Sequence, residues 1–312
     1  MAAPERSTAG GAVPRAGLGS ILSLLRPKQW IKNLLVFASP AAAGVLDQRA
    51  AAGRAVIVFV AFCLAAGGAY CLNDVADADA DRRHPLKRAR PVASGAVPAA
   101  LATPLGVALL AAGLVVASLT ASWAPVIVLA IYVALQPLYT YWLKHIAVID
   151  LLVVASGFVL RAVAGVVGTD VPISDWYLIV ASFGSLFLVA GKRSSELRLG
   201  AEAVDHRRSL EAYTPSFLLL VRSVAVGITL LAYCLWAFEK SAIADSWFPW
   251  FELSIVPFTA LLLRYALAHE SAELAGPEDI VLGDRQLQVI GVVWAACLVA
   301  GVYGAGTPPL SG

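Results

Sequence analysis

Residues 54–81 read RAVIVFVAFCLAAGGAYCLNDVADADAD, an apolar run that ends in a string of carboxylates. About 20 apolar residues suffice for one α-helical crossing of a hydrocarbon core. Residues 54–73 therefore read as a membrane-spanning helix, and the acidic string as its polar exit. Similar apolar stretches lie at 30–47, 98–119, 123–143, 147–168, 175–191, 216–237, 246–267 and 287–305, so about nine spans are expected. Pro40 and a run of Ala and Gly make 30–47 the weakest of them.

The composition agrees. Of 312 residues, 59% are hydrophobic and 14% charged, and the mean hydropathy is +0.77. Soluble domains carry about 25% charged residues, so a water-soluble fold would leave too little polar surface to cover this much apolar side chain. The expected fold is an all-α, polytopic membrane helical bundle. Residues 1–20, rich in Ala, Gly, Pro and Arg and without an apolar core, read as a disordered cytoplasmic tail rather than a signal peptide. Residues 21–312 read as a single transmembrane domain. Cys63, Cys71, Cys234 and Cys297 sit in or beside apolar segments without CxxC spacing and read as small core residues.

Lysine and arginine set the orientation. With the N-terminus inside, nineteen of the 23 Lys and Arg fall in inner segments and three, Arg49, Arg54 and Lys240, in outer ones. The last, Arg161, lies within a span. The inner loops 74–97 and 192–215 are far more charged than any outer loop, as loops that carry function tend to be.

At 100° per residue, a continuing helix would gather Asn73, Asp74, Asp77 and Asp81 within an arc of about 100°, with Asp79 opposite. Carboxylates this close repel and raise one another's pKa. A divalent cation relieves that repulsion, and all-oxygen ligands suit Mg²⁺, which binds through one or two carboxylates while retaining substrate phosphates and water. Arg82, Arg83, Lys87, Arg88 and Arg90 follow directly, with His84 among them. An acidic face followed by five cations fits an anion held through a metal on one side and by Lys/Arg on the other.

Two strings carry a family resemblance: Asn73-Asp74-x-x-Asp77-x-x-x-Asp81, and His84-Pro85-x-Lys87-x-x-Arg90-Pro91-x-x-Ser94-Gly95. Together they resemble the first signature of the UbiA-type intramembrane prenyltransferase superfamily, as does Arg26-Pro27-Lys28-Gln29-Trp30-x-Lys32-Asn33. In that superfamily, members that prenylate aromatic rings usually carry a second Asp-rich motif. Here its place is taken by Gly191-Lys192-Arg193-Ser194-Ser195-Glu196-Leu197-Arg198, in which cations replace most carboxylates. Lys192-Arg193-x-x-Glu196-Leu197, with Gly276-Pro277-Glu278-Asp279-x-x-Leu282-x-Asp284-Arg285, resembles the decaprenyl-phosphate phosphoribosyltransferase branch. The resemblance implies a bundle with a central cavity open to the cytoplasmic face and to lipid, and transfer of a 5-phosphoribosyl group from 5-phosphoribosyl 1-diphosphate to a polyprenyl phosphate. Pyrophosphate would leave, and the product would feed arabinan precursors of the actinobacterial cell wall.

The resemblance and the residues together suggest roles. Asn73, Asp74, Asp77 and Asp81 are the expected Mg²⁺ ligands, and Asp77, Asp81 and Glu196 the expected catalytic residues. Lys28, Tyr70, Arg83, His84, Lys87, Arg90, Lys192 and Arg193 are expected to bind substrate, with Tyr141 and Lys144 at the same mouth. Arg161, a charge costly inside a bilayer, is expected to meet a phosphate, with a structural pair to Asp150 as the alternative. The expected partners are the two substrates and the plasma membrane, with a homo-oligomer possible and no nucleic acid. A ring prenyltransferase and a lipid or anion transporter are the rival readings.

Overall fold

The apolar run that opened the sequence forms the bundle's central rod, helix α3 (Arg49–Ala76), with no proline to break it. In the computed structural model, residues 17–83, 87–198, 208–244, 246, 248–271 and 276–304 are described. Every regular element among them is helical. Ahead of α3 come α1 (Leu18–Leu25), a 3-10 segment (Pro27–Phe37) and α2 (Ala38–Ala42). After it come α4 (Ala78–Arg83), α5 (Ala99–Ser118), α6 (Trp123–Tyr141), α7 (Ile149–Thr169) and α8 (Asp175–Arg198). The chain ends with α9 (Pro215–Ile243), α10 (Trp250–Ser271), α11 (Pro277–Gly283) and α12 (Arg285–Tyr303).

Seven of these helices, α3, α5, α6, α7, α9, α10 and α12, are long and apolar enough to cross a membrane. The 24-residue α8 is an eighth long helix, more polar because its last two turns carry Lys192, Arg193, Glu196 and Arg198. Starts are set by local chemistry: Ser122 caps α6, Thr214 followed by Pro215 caps α9, and Asp284 caps α12. The outward faces carry exposed Val107, Val115, Leu220, Val256, Leu263 and Val292, a surface suited to lipid.

The expected first span differs. Residues 27–42 form a 3-10 stretch and one short α-helix instead of a continuous crossing helix. Pro40 sits in the first turn of α2, where its missing N–H costs nothing, so the helix restarts there. The segment nevertheless runs along the bundle, because Arg26 just before it meets Asp74 at the exit of α3 while Val36 lies against Gly165 in the last part of α7. A 3-10 path repeats every three residues. It thus buries Asn33 and Val36 on one side and places Gln29 and Lys32 together on another.

Consecutive long helices pack on one another, and the 3-10 segment lies against α3 and α7. Small residues allow backbones to touch, as in membrane bundles generally. A Cβ on Gly68 of α3 would lie 2.6 Å from the Gly106 carbonyl oxygen of α5, and one on Gly165 of α7 would lie 2.0 Å from the Val36 carbonyl oxygen. Cys63, Cys71 and Cys297 are buried and all four cysteines are free thiols, as expected of core residues.

Gly165→Ala is expected to destabilise the protein by about 1–3 kcal/mol, the usual cost of overpacking. Gly53→Ala, whose Cβ meets nothing within 4 Å, serves as the control and should be neutral or stabilising. Thermal unfolding in one detergent compares them, and equal melting of Gly165→Ala and the parent would contradict the close approach.

Candidate functional site

Helix α3 delivers the acidic motif to one end of the bundle. The helix breaks at Asp77, at φ −93° and ψ 1°. The turn still continues, because the Asp77 N–H donates to the Asn73 carbonyl at 2.9 Å and the Asp81 N–H to the Asp77 carbonyl at 2.8 Å. The predicted face therefore exists. Asp79 points away, exposed and paired with Arg82. Asp74 and Asp81 are buried and share one cation: Arg90 lies 3.6 Å from the Asp74 carboxylate and 2.7 Å from that of Asp81. Arg26 makes a 2.5 Å contact to the same Asp74 oxygen. The other Asp74 oxygen is buried with no hydrogen-bond partner among the described residues.

Asp77 is more open and receives the Lys144 ammonium at 3.1 Å. The Thr140 hydroxyl donates to the Asn73 side-chain oxygen at 2.6 Å. Two α6-end residues thus steady the two least buried members of the motif. Among the described residues no three His, Cys, Asp or Glu side chains form a closed metal cage. Asn73, Asp77 and the partnerless oxygen of Asp74 nonetheless offer the open, all-oxygen donor set that suits Mg²⁺ bound jointly with substrate phosphate.

The second charged motif meets the first through the α6–α7 connection. Arg193 is 1% exposed and donates to the Asp150 carboxylate at 2.8 Å, to Glu196 at 2.8 Å and to the Tyr139 hydroxyl at 3.1 Å. The Tyr213 hydroxyl also donates to Asp150, and it accepts the Val148 N–H at 2.8 Å. Burial and that bond to Asp150 push the Tyr213 phenol well above its ordinary range. Val148 has φ +67°, a strained conformation for a β-branched residue that persists only where the surroundings impose it. The Ser209 hydroxyl donates to the Lys144 carbonyl at 2.9 Å, which closes the link between the two motifs.

Arg161 lies about 16 Å along α7 from Asp150. It is 6% exposed and donates to the Asn33 side-chain oxygen and the Gly157 carbonyl, both at 2.6 Å, and to the Tyr132 hydroxyl at 3.1 Å. Its guanidinium stacks over Tyr132 and lies near the Phe62 and Phe158 rings. Among the described residues no carboxylate pairs with it. The structural alternative expected from sequence, an Arg161–Asp150 pair, is replaced by Arg193–Asp150.

The remaining expected residues are placed as follows. Tyr70 is half-buried beneath Arg26. Lys28, Arg83, Tyr141 and Lys192 are exposed and Lys87 half-buried. His84 lies outside the described residues. Arg193 is turned into the protein toward Asp150, and Glu196 pairs with Arg193. Arg90 is likewise engaged by the acidic face.

Several site residues were given no role from sequence. Lys32 makes a 3.0 Å salt bridge to Glu278, which also accepts from Gln29, so the start of α11 is tied to the 3-10 segment. Burial pushes the Glu278 carboxyl up, but Lys32 and the hydrogen bonds outweigh it and hold the group below its ordinary value. A three-residue period in Gln29 and Lys32 is the signal that could have found them.

Comparison with known proteins adds the following. The UbiA prenyltransferase family model matches residues 34–278. A decaprenyl-phosphate phosphoribosyltransferase of Mycolicibacterium smegmatis is 41% identical over 315 residues, covering 97% of this chain and 98% of that protein. One from Mycobacterium tuberculosis is 43% identical over 299 residues, covering 93% and 96%. One from Corynebacterium glutamicum is 42% identical over 298 residues, covering 93% and 89%. The solved structure of a UbiA homolog from Archaeoglobus fulgidus bound to GPP and Mg²⁺ superposes with a TM-score of 0.70 at 18% identity, covering 92% of this chain and 99% of that one.

Two outcomes are expected. Arg193→Met alone should cost about 3–5 kcal/mol by leaving Asp150 charged and unpaired, while Arg193→Met with Asp150→Leu should recover most of it; thermal unfolding of both variants checks this. Glu278, with its pKa depressed in the folded state, stabilises above its ordinary value of 4.5, and that contribution is lost as pH falls below it. Glu278→Gln should therefore flatten part of the fall in melting temperature between pH 6 and pH 4, and an unchanged profile would contradict the Lys32 bond.

Proposed function

The chain belongs to the UbiA prenyltransferase family, and from that premise we propose that it transfers the 5-phosphoribosyl group of 5-phosphoribosyl 1-diphosphate to decaprenyl phosphate. Named relatives above 40% identity over nearly the whole chain support the reaction. The observation that carries it is the second motif: where a ring prenyltransferase needs a second acidic, metal-holding motif, this chain has Lys192 and the Arg193–Asp150 pair.

Both substrates are polyanions and one has a long apolar tail, which a helical bundle in lipid accommodates. In the transfer, the bond from the ribose C1 to the diphosphate oxygen breaks and pyrophosphate keeps the electron pair. A new bond forms from C1 to an oxygen of the acceptor phosphate. That phosphate is already ionised, so no strong general base is required.

Asn73 and Asp77, supported by Asp74, would hold Mg²⁺, which when bound supplies charge neutralisation for the departing diphosphate. Arg26 and Arg90 hold Asp74 and Asp81 in place. Lys144, beside Asp77, the exposed Lys28, Arg83 and Lys192 and the half-buried Lys87 would donate to phosphate oxygens as charge builds on the leaving group. Arg161, whose charge has no carboxylate counterpart among the described residues, would attract the phosphate that reaches deepest. The charged end of the bundle carries most of the Lys and Arg, which supports a site on the cytoplasmic side of the plasma membrane.

Membranes containing the protein are expected to convert labelled 5-phosphoribosyl 1-diphosphate and decaprenyl phosphate to a labelled lipid, and to leave prenyl diphosphate with an aromatic acid unreacted. Asp77→Ala should lower turnover by about a hundredfold or more and abolish Mg²⁺-dependent pyrophosphate release. Reaction of only the second substrate pair would overturn the assignment.

A further inference from the structure

Helix α8 presents two charged faces, and the reaction uses one. Arg193 and Glu196 point inward to Asp150 and Tyr139. Ser194, Leu197 and Arg198, centred about 120° around the helix, face α9 and α10 instead. There they border a cavity of about 400 Å³, the space of roughly a dozen waters. Its other walls are Pro215, Leu219 and Arg222 of α9 and Glu270 of α10.

Four observations converge on it. Arg222 is 8% exposed, and its Nε is buried with no hydrogen-bond partner among the described residues. Its nearest carboxylate, Glu270, is 60% exposed and stands 3.9 Å away, beyond hydrogen-bond reach. Arg198 is held at the same opening by its bonds to the Ser195 hydroxyl and the His269 carbonyl, both 3.1 Å. Leu219 is 58% exposed and continues into the lipid-facing Leu220 on α9.

A desolvated guanidinium with an unmet N–H is costly, and among the described residues two arginines against one displaced carboxylate leave the pocket net positive. We propose that this pocket binds the phosphate of an anionic membrane lipid, at a site separate from the acidic motif. The two arginines hold the phosphate by charge-assisted hydrogen bonds, and an acyl chain lies along Leu219 and Leu220. The apolar wall is what favours a lipid-borne phosphate over a free one. The occupant would brace α8 against α9 and α10 on the face opposite the Arg193 pair. This inference does not depend on which group the enzyme transfers.

The test uses the full-length protein in nanodiscs of phosphatidylcholine alone or with phosphatidylglycerol. Phosphatidylglycerol should raise the melting temperature and remain bound in native mass spectrometry. Arg222→Gln, and separately the more exposed Arg198→Gln, should each weaken phosphatidylglycerol retention by about tenfold, the worth of one charge-assisted hydrogen bond. Transfer activity in phosphatidylcholine discs should persist in Arg198→Gln, which shows that the fold is intact. Retention unchanged in Arg198→Gln would overturn the proposal. So would equal stabilisation by soluble glycerol phosphate or inorganic phosphate, since the apolar wall would then play no part.

Discussion

The buried ion pair between Arg193 and Asp150 is the interaction on which the charged end of this bundle depends. Both groups are withdrawn from water, where an isolated charge is prohibitively costly. The pair survives because its surroundings complete it: Tyr213 donates to Asp150, and Glu196 and Tyr139 accept from Arg193. Those contacts join α6, α7, α8 and the segment before α9. They also hold Val148 in its strained backbone and fix where Lys144 leaves the end of α6. A positioning role for Arg193 therefore reaches the acidic motif indirectly, through Lys144 and Asp77.

Charge balance then divides the site into two kinds of group. Asp74 and Asp81 are paired with Arg26 and Arg90, which anchors the loop after α4, while one Asp74 oxygen stays without a partner among the described residues. Asp77 and Asn73 are the more open members, each steadied by a single contact from the α6 end. Arg161 stands apart, solvated by an amide, a carbonyl and a phenol and surrounded by aromatic rings. These neutral partners position the guanidinium and leave its charge uncompensated, which is the condition in which a buried cation attracts an anionic substrate.

The 3-10 segment explains how such a site fits among close-packed helices. Its narrower path lets Val36 lie against Gly165, and its three-residue repeat turns Asn33 toward Arg161 while Lys32 reaches Glu278. Small residues at the crossings and a tightened backbone thus bring the first and last thirds of the chain together at the Lys32–Glu278 pair.

Much of this was legible along the chain. Apolar length located the eight long helices to within a few residues at most ends, although α8 runs on from its expected limit at 191 to Arg198 and α9 from 237 to Ile243. The 100° helical step separated Asp79 from the face carrying Asp74, Asp77 and Asp81, and the clustering of Lys and Arg marked the charged end. These are local or cumulative properties, read from neighbours in sequence. Pairing was not legible: that Asp150 takes Arg193 and not Arg161, that Lys32 meets Glu278, and that Arg90 closes on two carboxylates. Those choices join residues distant in sequence, and burial makes each one exclusive, because a charge withdrawn from water must be met by whichever partner the packing of helices brings within reach.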